Sequence, residues 1–177
     1  DFSKYGVQVP EKEAEKVADE IKNAINAGGT EEVKVSGVTY VDENNVEQKV
    51  DVVIPANVLD NYKGADNEVQ APVIKVLNQS DAEKVTESIG VIESTTADGI
   101  KEKDEVSLVA ESGKPVVIVM PASSNQTLVI ERDMSAEALQ SNNVTSDAGA
   151  VASVSRVYKG EPSGTVFSPA LKISFDA

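Results

Sequence analysis

After Pro10, apolar residues recur at spacings of three and four. Ala14, Val17, Ala18, Ile21, Ala24 and Ile25 are separated by Glu11, Lys12, Glu15, Lys16, Glu20 and Lys22. That period predicts an amphipathic helix over 11–27. Pro10 suits its first turn, Glu11 and Glu13 suit the positive end of its dipole, and Gly28-Gly29 provide a left-handed stop. From Glu31 the period changes to two: Val33 and Val35 flank Lys34, and Val50, Val52 and Ile54 alternate with Asp51 and Val53. With the short polar residues Asp42-Glu43-Asn44-Asn45 between these runs, residues 31–55 read as a β-hairpin.

Further β-rich runs fall at 69–77, 85–93, 105–110, 115–120, 127–131, 150–158 and 165–175, separated by turn material such as Ala97-Asp98-Gly99 and Ser112-Gly113-Lys114-Pro115. Short helical turns are expected at 57–61, after Pro55, and at 133–139. Many strands at 8–15-residue spacing with few helices predict a mainly β chain, an antiparallel sandwich preceded by one helix. The expected division is an N-terminal segment over 1–30 and a sandwich domain over 31–177, with two sub-sheets meeting near 78–84.

Composition narrows the chemistry. The 177 residues include no His, Cys or Trp, and 30 acidic against 16 basic side chains give a net charge of −14. Without His or Cys the usual zinc sites, thiol nucleophiles and His-based triads cannot be built, and no cofactor is expected. The acidic field opposes nucleic acid and anionic membranes, and no apolar run is long enough to span a bilayer. The chain begins at Asp1 rather than Met; a removed export signal, a lipoprotein Cys upstream of Asp1 that carries a lipid anchor, or an arbitrary start point would each explain that, and the sequence does not choose among them.

Oxygen ligands are what remains for a metal. Asp60, Asn61, Asp66, Asn67 and Glu68 form the densest cluster, with Asp60, Asp66 and Glu68 its charged members, and Asp42 to Asn45 the next. Neither follows the EF-hand spacing, and a hard cation needs six or more oxygens, so solvated loops are the favoured reading and no metal is expected. The carboxylate pairs Asp42-Glu43 and Asp104-Glu105 have the composition of a glycosidase pair, but 30 acids produce such pairs by chance. For sugar stacking, Tyr62 beside Asn61 and Lys63 is the one isolated aromatic. A loop anchor with a buried ring is the more ordinary role for it.

Two segments resemble the ZU5 domain family. Lys49-Val50-Asp51-Val52-Val53-Ile54-Pro55-Ala56-Asn57-Val58-Leu59 is similar to an apolar strand, Ile-Pro and small-residue turn near the start of that domain. Val154-Ser155-Arg156-Val157-Tyr158, then Glu161-Pro162-Ser163-Gly164-Thr165-Val166-Phe167-Ser168-Pro169-Ala170-Leu171-Lys172-Ile173-Ser174-Phe175, is similar to its closing hairpin. The resemblance is limited to about residues 47–59 and 150–175. Some members cleave themselves at His-Phe-Ser; here Val166 stands where the His would be, so no self-cleavage is expected. Similar segments occur in exported surface lipoproteins of Bacteroidetes-type bacteria. The resemblance implies a non-enzymatic interaction module, exported to the cell surface or periplasm, whose partner is a protein or a surface glycan. A glycan-binding protein is the alternative, and a carboxylate-based hydrolase the less favoured third reading.

Overall fold

A computed structural model describes residues 4–89, 91–95, 101–108, 113–123, 129–133, 157–168 and 171–175. The helical turn expected at 133–139 lies almost wholly outside them. Along the chain run β1 (Val7–Gln8), α1 (Glu11–Asn26), β2 (Val33–Val41), β3 (Glu47–Ile54) and two 3-10 turns (Ala56–Tyr62 and Ala65–Asn67). There follow β4 (Val73–Leu77), α2 (Gln79–Ile89), β5 (Val91–Thr95), β6 (Lys101–Leu108), β7 (Val116–Met120), β8 (Val129–Asp133), β9 (Val157–Glu161), β10 (Val166–Ser168) and β11 (Leu171–Phe175).

Every strand pairing is antiparallel. A four-stranded sheet has the order β1-β4-β7-β10, a three-stranded sheet β11-β6-β5, and β2-β3 and β8-β9 form two-stranded ribbons. The chain is therefore a mixed α/β protein with antiparallel sheets, which corrects the one-helix expectation.

The central strand β7 explains the layering. Its residues Val116-Val117-Ile118-Val119-Met120 are all buried, as a strand covered on both faces requires. On one face Val117 and Val119, with Ile74 and Val76 of β4, meet Val38, Val50, Val52 and Ile54 of the β2-β3 hairpin and Ala14, Val17 and Ile21 of α1. On the other face Val116, Ile118 and Met120 meet Leu77 of β4, Ala82 and Val85 of α2, and Leu108 of β6. The register Ile74↔Val119, Val76↔Val117 and Leu77↔Val116 keeps like faces together. The N-terminal helix thus shares a core with the hairpin and the four-stranded sheet.

Helix α1 starts at Pro10, whose carbonyl accepts from Glu13 N–H and Ala14 N–H, both at 3.0 Å. It ends where Gly29 N–H donates to Ala24 O at 2.9 Å, with Gly28 and Gly29 both at positive φ. The β-rich reading of 85–93 is wrong in its first half, since 79–89 is α2. Its cap is Asn78, whose Oδ1 accepts from Asp81 N–H at 2.8 Å. Thr86 ties the helix to the neighbouring sheet by donating to Ala82 O and accepting from Leu108 N–H, each at 2.8 Å.

The closing segment is not a hairpin paired with itself. β9 pairs with β8, β10 with β7 and β11 with β6, so the turn at 162–164 delivers successive strands to different sheets. Phe167 faces Ile118 across the β10-β7 ladder and packs on the α2-side core, yet it is only half-buried. Phe167→Ala should therefore cost roughly 1–2 kcal/mol rather than the full cost of a buried ring. Thermal unfolding should register a fall of about 3–6 °C; a fall above about 12 °C would show that the ring carries more of the core than its exposure indicates.

Candidate functional site

The hairpin turn, the β4-α2 junction and the loop before β7 meet at one end of the four-stranded sheet and enclose a cleft of about 380 Å³. Val7, Tyr40, Val76 and Pro115 give it an apolar wall. Asp42, Glu43 and Asn44 come from the turn, Gln48 from β3, Asn78, Gln79 and Asp81 from the start of α2, and Lys114 from the loop.

Each segment holds its groups for a local reason. Asp42 folds the turn: its Oδ1 accepts from Asn44 N–H at 2.9 Å and Val46 N–H at 3.0 Å, and its Oδ2 from Gln48 Nε2 at 3.1 Å. These bonds, the one from Val46 first, hold its carboxyl below the usual value. Asn45 takes the left-handed conformation that a short polar residue tolerates. Across the cleft Asn78 uses both ends of its amide. Beyond the bond that caps α2, its Nδ2 donates to Glu43 Oε2 at 3.3 Å, joining the helix start to the hairpin turn.

Asp81 and Lys75 are the buried charged residues among those described, at 8% and 4% exposure. Lys75 lies on β4 within an otherwise apolar run. Burial lowers its pKa, and the negative charge of Asp81 opposes that shift. Asp81 Oδ2 is sealed from solvent and makes no hydrogen bond. The Glu43 carboxyl lies within hydrogen-bonding contact of Asp81. That bond, then the Asp81 charge, raises the Glu43 pKa, while Asn78 and Lys84 pull it down.

This arrangement fixes the sign of a pH effect. A folded-state pKa above the ordinary value means that the folded chain binds more protons than the unfolded chain between the two values, so this contribution to stability declines as pH rises through that window. Asp42 and Glu13, held below their ordinary values, act in the opposite direction as pH falls. Glu43→Gln isolates the first effect. Relative to the variant, the natural protein should lose stability in urea unfolding as pH rises above the ordinary glutamate value. Parallel curves would show that the two carboxyls are not coupled.

The residues singled out from sequence fall elsewhere. Tyr62 is 5% exposed and its hydroxyl donates to Gly164 O at 2.7 Å, with Val119 O at 3.3 Å, so its ring lies inside the core and offers no stacking platform. Burial pushes its pKa up. Asp60 Oδ1 pairs with Lys63 Nζ at 3.0 Å, while Asp66 sits at positive φ and Glu68 closes the loop through its carbonyl, which accepts from Gly64 N–H. Among the described residues no three acidic side chains converge to hold a metal ion. Asp104 and Glu105 lie within β6, the middle strand of its sheet. Of the sequence candidates Asp42, Glu43 and Asn44 line the cleft; Asp81 was not singled out. A lysine inside the apolar run 73–77 and the Asn-x-x-Asp cap were the signals for it. No helix among the described residues is long and apolar enough to cross a membrane.

Comparison of the chain with known protein families, curated proteins and solved structures finds no match.

Proposed function

We propose that this chain is a non-enzymatic interaction module, a ZU5-like sandwich exported or displayed at the cell surface, that holds its ligand in the cleft at the end of the four-stranded sheet. The observation that carries the reading is the construction of that cleft. Three segments distant in sequence set carboxylates and amides around an apolar wall, an arrangement that orients a bound group. The ZU5-like architecture rests on the two segment resemblances, and export on the lipoprotein likeness.

The hydrolase reading is weaker on geometry. Glu43 and Asp81 are in hydrogen-bonding contact, whereas a glycosidase keeps its two carboxyls about 5–10 Å apart so that sugar or water fits between them. The glycan reading loses its aromatic platform with Tyr62 buried. The test pairs binding with turnover. Peptide and glycan panels should give saturable binding that weakens when Gln79 or Asn44 is changed to Ala, while ester, glycoside and peptide substrates remain intact. Hydrolysis abolished by Glu43→Gln would overturn the proposal, and a glycan signal independent of the cleft variants would replace it with a glycan-binding surface elsewhere. Fractionation of cells producing the natural gene product tests export; recovery in the soluble cytoplasmic fraction alone would refute it.

A further inference from the structure

The cleft combines features that a single ligand class satisfies together. Its wall of Val7, Tyr40, Val76 and Pro115 is apolar, and its polar end carries the Glu43 and Asp81 carboxyls. Asp81 is more than nine-tenths buried, and its Oδ2 makes no hydrogen bond. We propose that this cleft binds an alkylammonium or alkylguanidinium group, with the alkyl stem along the apolar wall and the cationic head on the Glu43 carboxyl, over the buried Asp81. The proposal rests on the interaction-module reading and names the chemistry of its ligand.

A stem with a charged head is the form in which apolar surface and carboxylates are satisfied by one group. A guanidinium presents several donors to paired carboxylates, and a primary ammonium three. A bare divalent ion fits less well. It would need six or more oxygens, and no three acidic side chains converge among the described residues. The cleft is also far larger than an ion and would leave the apolar wall unused. The excess of 30 acidic over 16 basic side chains favours the approach of a cation over long range.

Binding is linked to a proton. In the empty cleft the negative charge of Asp81 raises the Glu43 pKa, so Glu43 holds its proton more tightly than a free glutamate. A cation beside the pair favours the ionised form of Glu43, whose exposed carboxylate accepts from the incoming N–H groups while the buried Asp81 charge attracts the same head. The charged residues around the pair are Asp42 on the turn, Lys75 on β4, Lys84 on α2 and Lys114 on the loop before β7. Asp42 is already engaged by three donors of its own turn. Affinity should therefore rise with pH as Glu43 loses its proton.

The experiment is a backbone-amide NMR titration of the whole chain with agmatine, n-butylammonium chloride and calcium chloride at matched ionic strength. Agmatine and n-butylammonium should shift amides confined to Tyr40, Asn44, Gln79, Asp81 and Lys114, with affinity rising as pH increases above the ordinary glutamate value. Glu43→Gln puts an amide donor against Asp81 permanently and should weaken binding by about tenfold or more. Because Glu43 is exposed, the variant should fold, and an unchanged amide spectrum away from the cleft checks it. Asp81→Asn is the second variant and should abolish the pH dependence. Shifts produced by calcium and not by the amines would overturn the inference in favour of a metal site. Shifts spread over the acidic surface, equal in both variants, would reduce it to non-specific attraction. If the amines fail while a peptide or glycan still binds and is lost in the Gln79 or Asn44 variants, the ligand chemistry is wrong and the module reading stands.

Discussion

Replacing Ile21 with Asp should leave no cooperative thermal transition at ordinary temperatures. Ile21 is fully buried in the core shared by α1, the β2-β3 hairpin and the four-stranded sheet. Loss of the buried alkyl group alone costs about 2–5 kcal/mol. Placing a carboxylate in that apolar site adds several more, because the buried Lys75 pairs with Ile118 on the opposite face of the sheet from Ile74 and Val76. The sum approaches the whole stability of a domain, about 5–15 kcal/mol. Circular dichroism should show loss of sheet signal together with helix signal, since both pack on the same residues. If α1 alone detached, with the amides of β4 and β7 still protected from hydrogen exchange, the shared core would be refuted.

How far the sequence discloses this core follows from the strength of each local pattern. α1 is legible because its buried residues fall on one stripe and its end is marked by two glycines, and the observed Glu11–Asn26 differs by a single residue from the span expected. The β2-β3 hairpin is legible for the corresponding reason, a period of two on each side of a polar turn. β7 reads as buried because no polar residue interrupts it. α2 fails the same reading because Val85, Thr86 and Ile89 are β-branched and run into Val91 and Ile92, a local composition that favours a strand. Packing decides otherwise: Ala82 and Val85 lie one helical turn apart and are both fully buried against the sheet. The closing segment misleads differently. Its turn chemistry is correct, but strand partners are set by the fold as a whole, and β9, β10 and β11 each find a different one.

The candidate site is less legible than the fold. The Asp42 turn is visible in sequence, but its carboxylate is consumed by its own backbone and by Gln48, so an acidic cluster there does not mean an open ligand set. Glu43 and Asp81 stand far apart in the chain and meet only because the hairpin lies over one end of β4, where α2 begins. Charge density along the sequence points to the 60–68 loop instead. There Asp60 pairs with Lys63, and the carbonyl of Glu68 with the Gly64 N–H. Burial distinguishes the two places, and burial is a property of the assembled layers.

Gly164→Ala should be the other strongly destabilising change, through backbone geometry and close approach together. Gly164 is buried in the turn after β9 at φ +84°, in the region that costs a residue with a side chain about 1–2 kcal/mol. A Cβ at this position would lie 2.8 Å from Asn61 Cβ and 3.2 Å from Pro121 Cγ. Neither is the free end of a flexible side chain, so the 3-10 turn carrying Asn61 or the end of β7 has to move, which adds about 1–3 kcal/mol. Movement there also disturbs the bond from the Tyr62 hydroxyl to Gly164 O, which anchors that turn to the closing corner. The total, roughly 2–5 kcal/mol, corresponds to a fall in melting temperature of about 5–15 °C. Tyr62→Phe separates the contributions: it removes the hydroxyl without touching the backbone and should cost about 1–2 kcal/mol. In the Gly164→Ala background its further cost should be smaller, because the hydrogen bond is already weakened. Full additivity of the two changes, or a Gly164→Ala protein that melts like the natural one, would show that the corner and the Tyr62 turn are not packed as described.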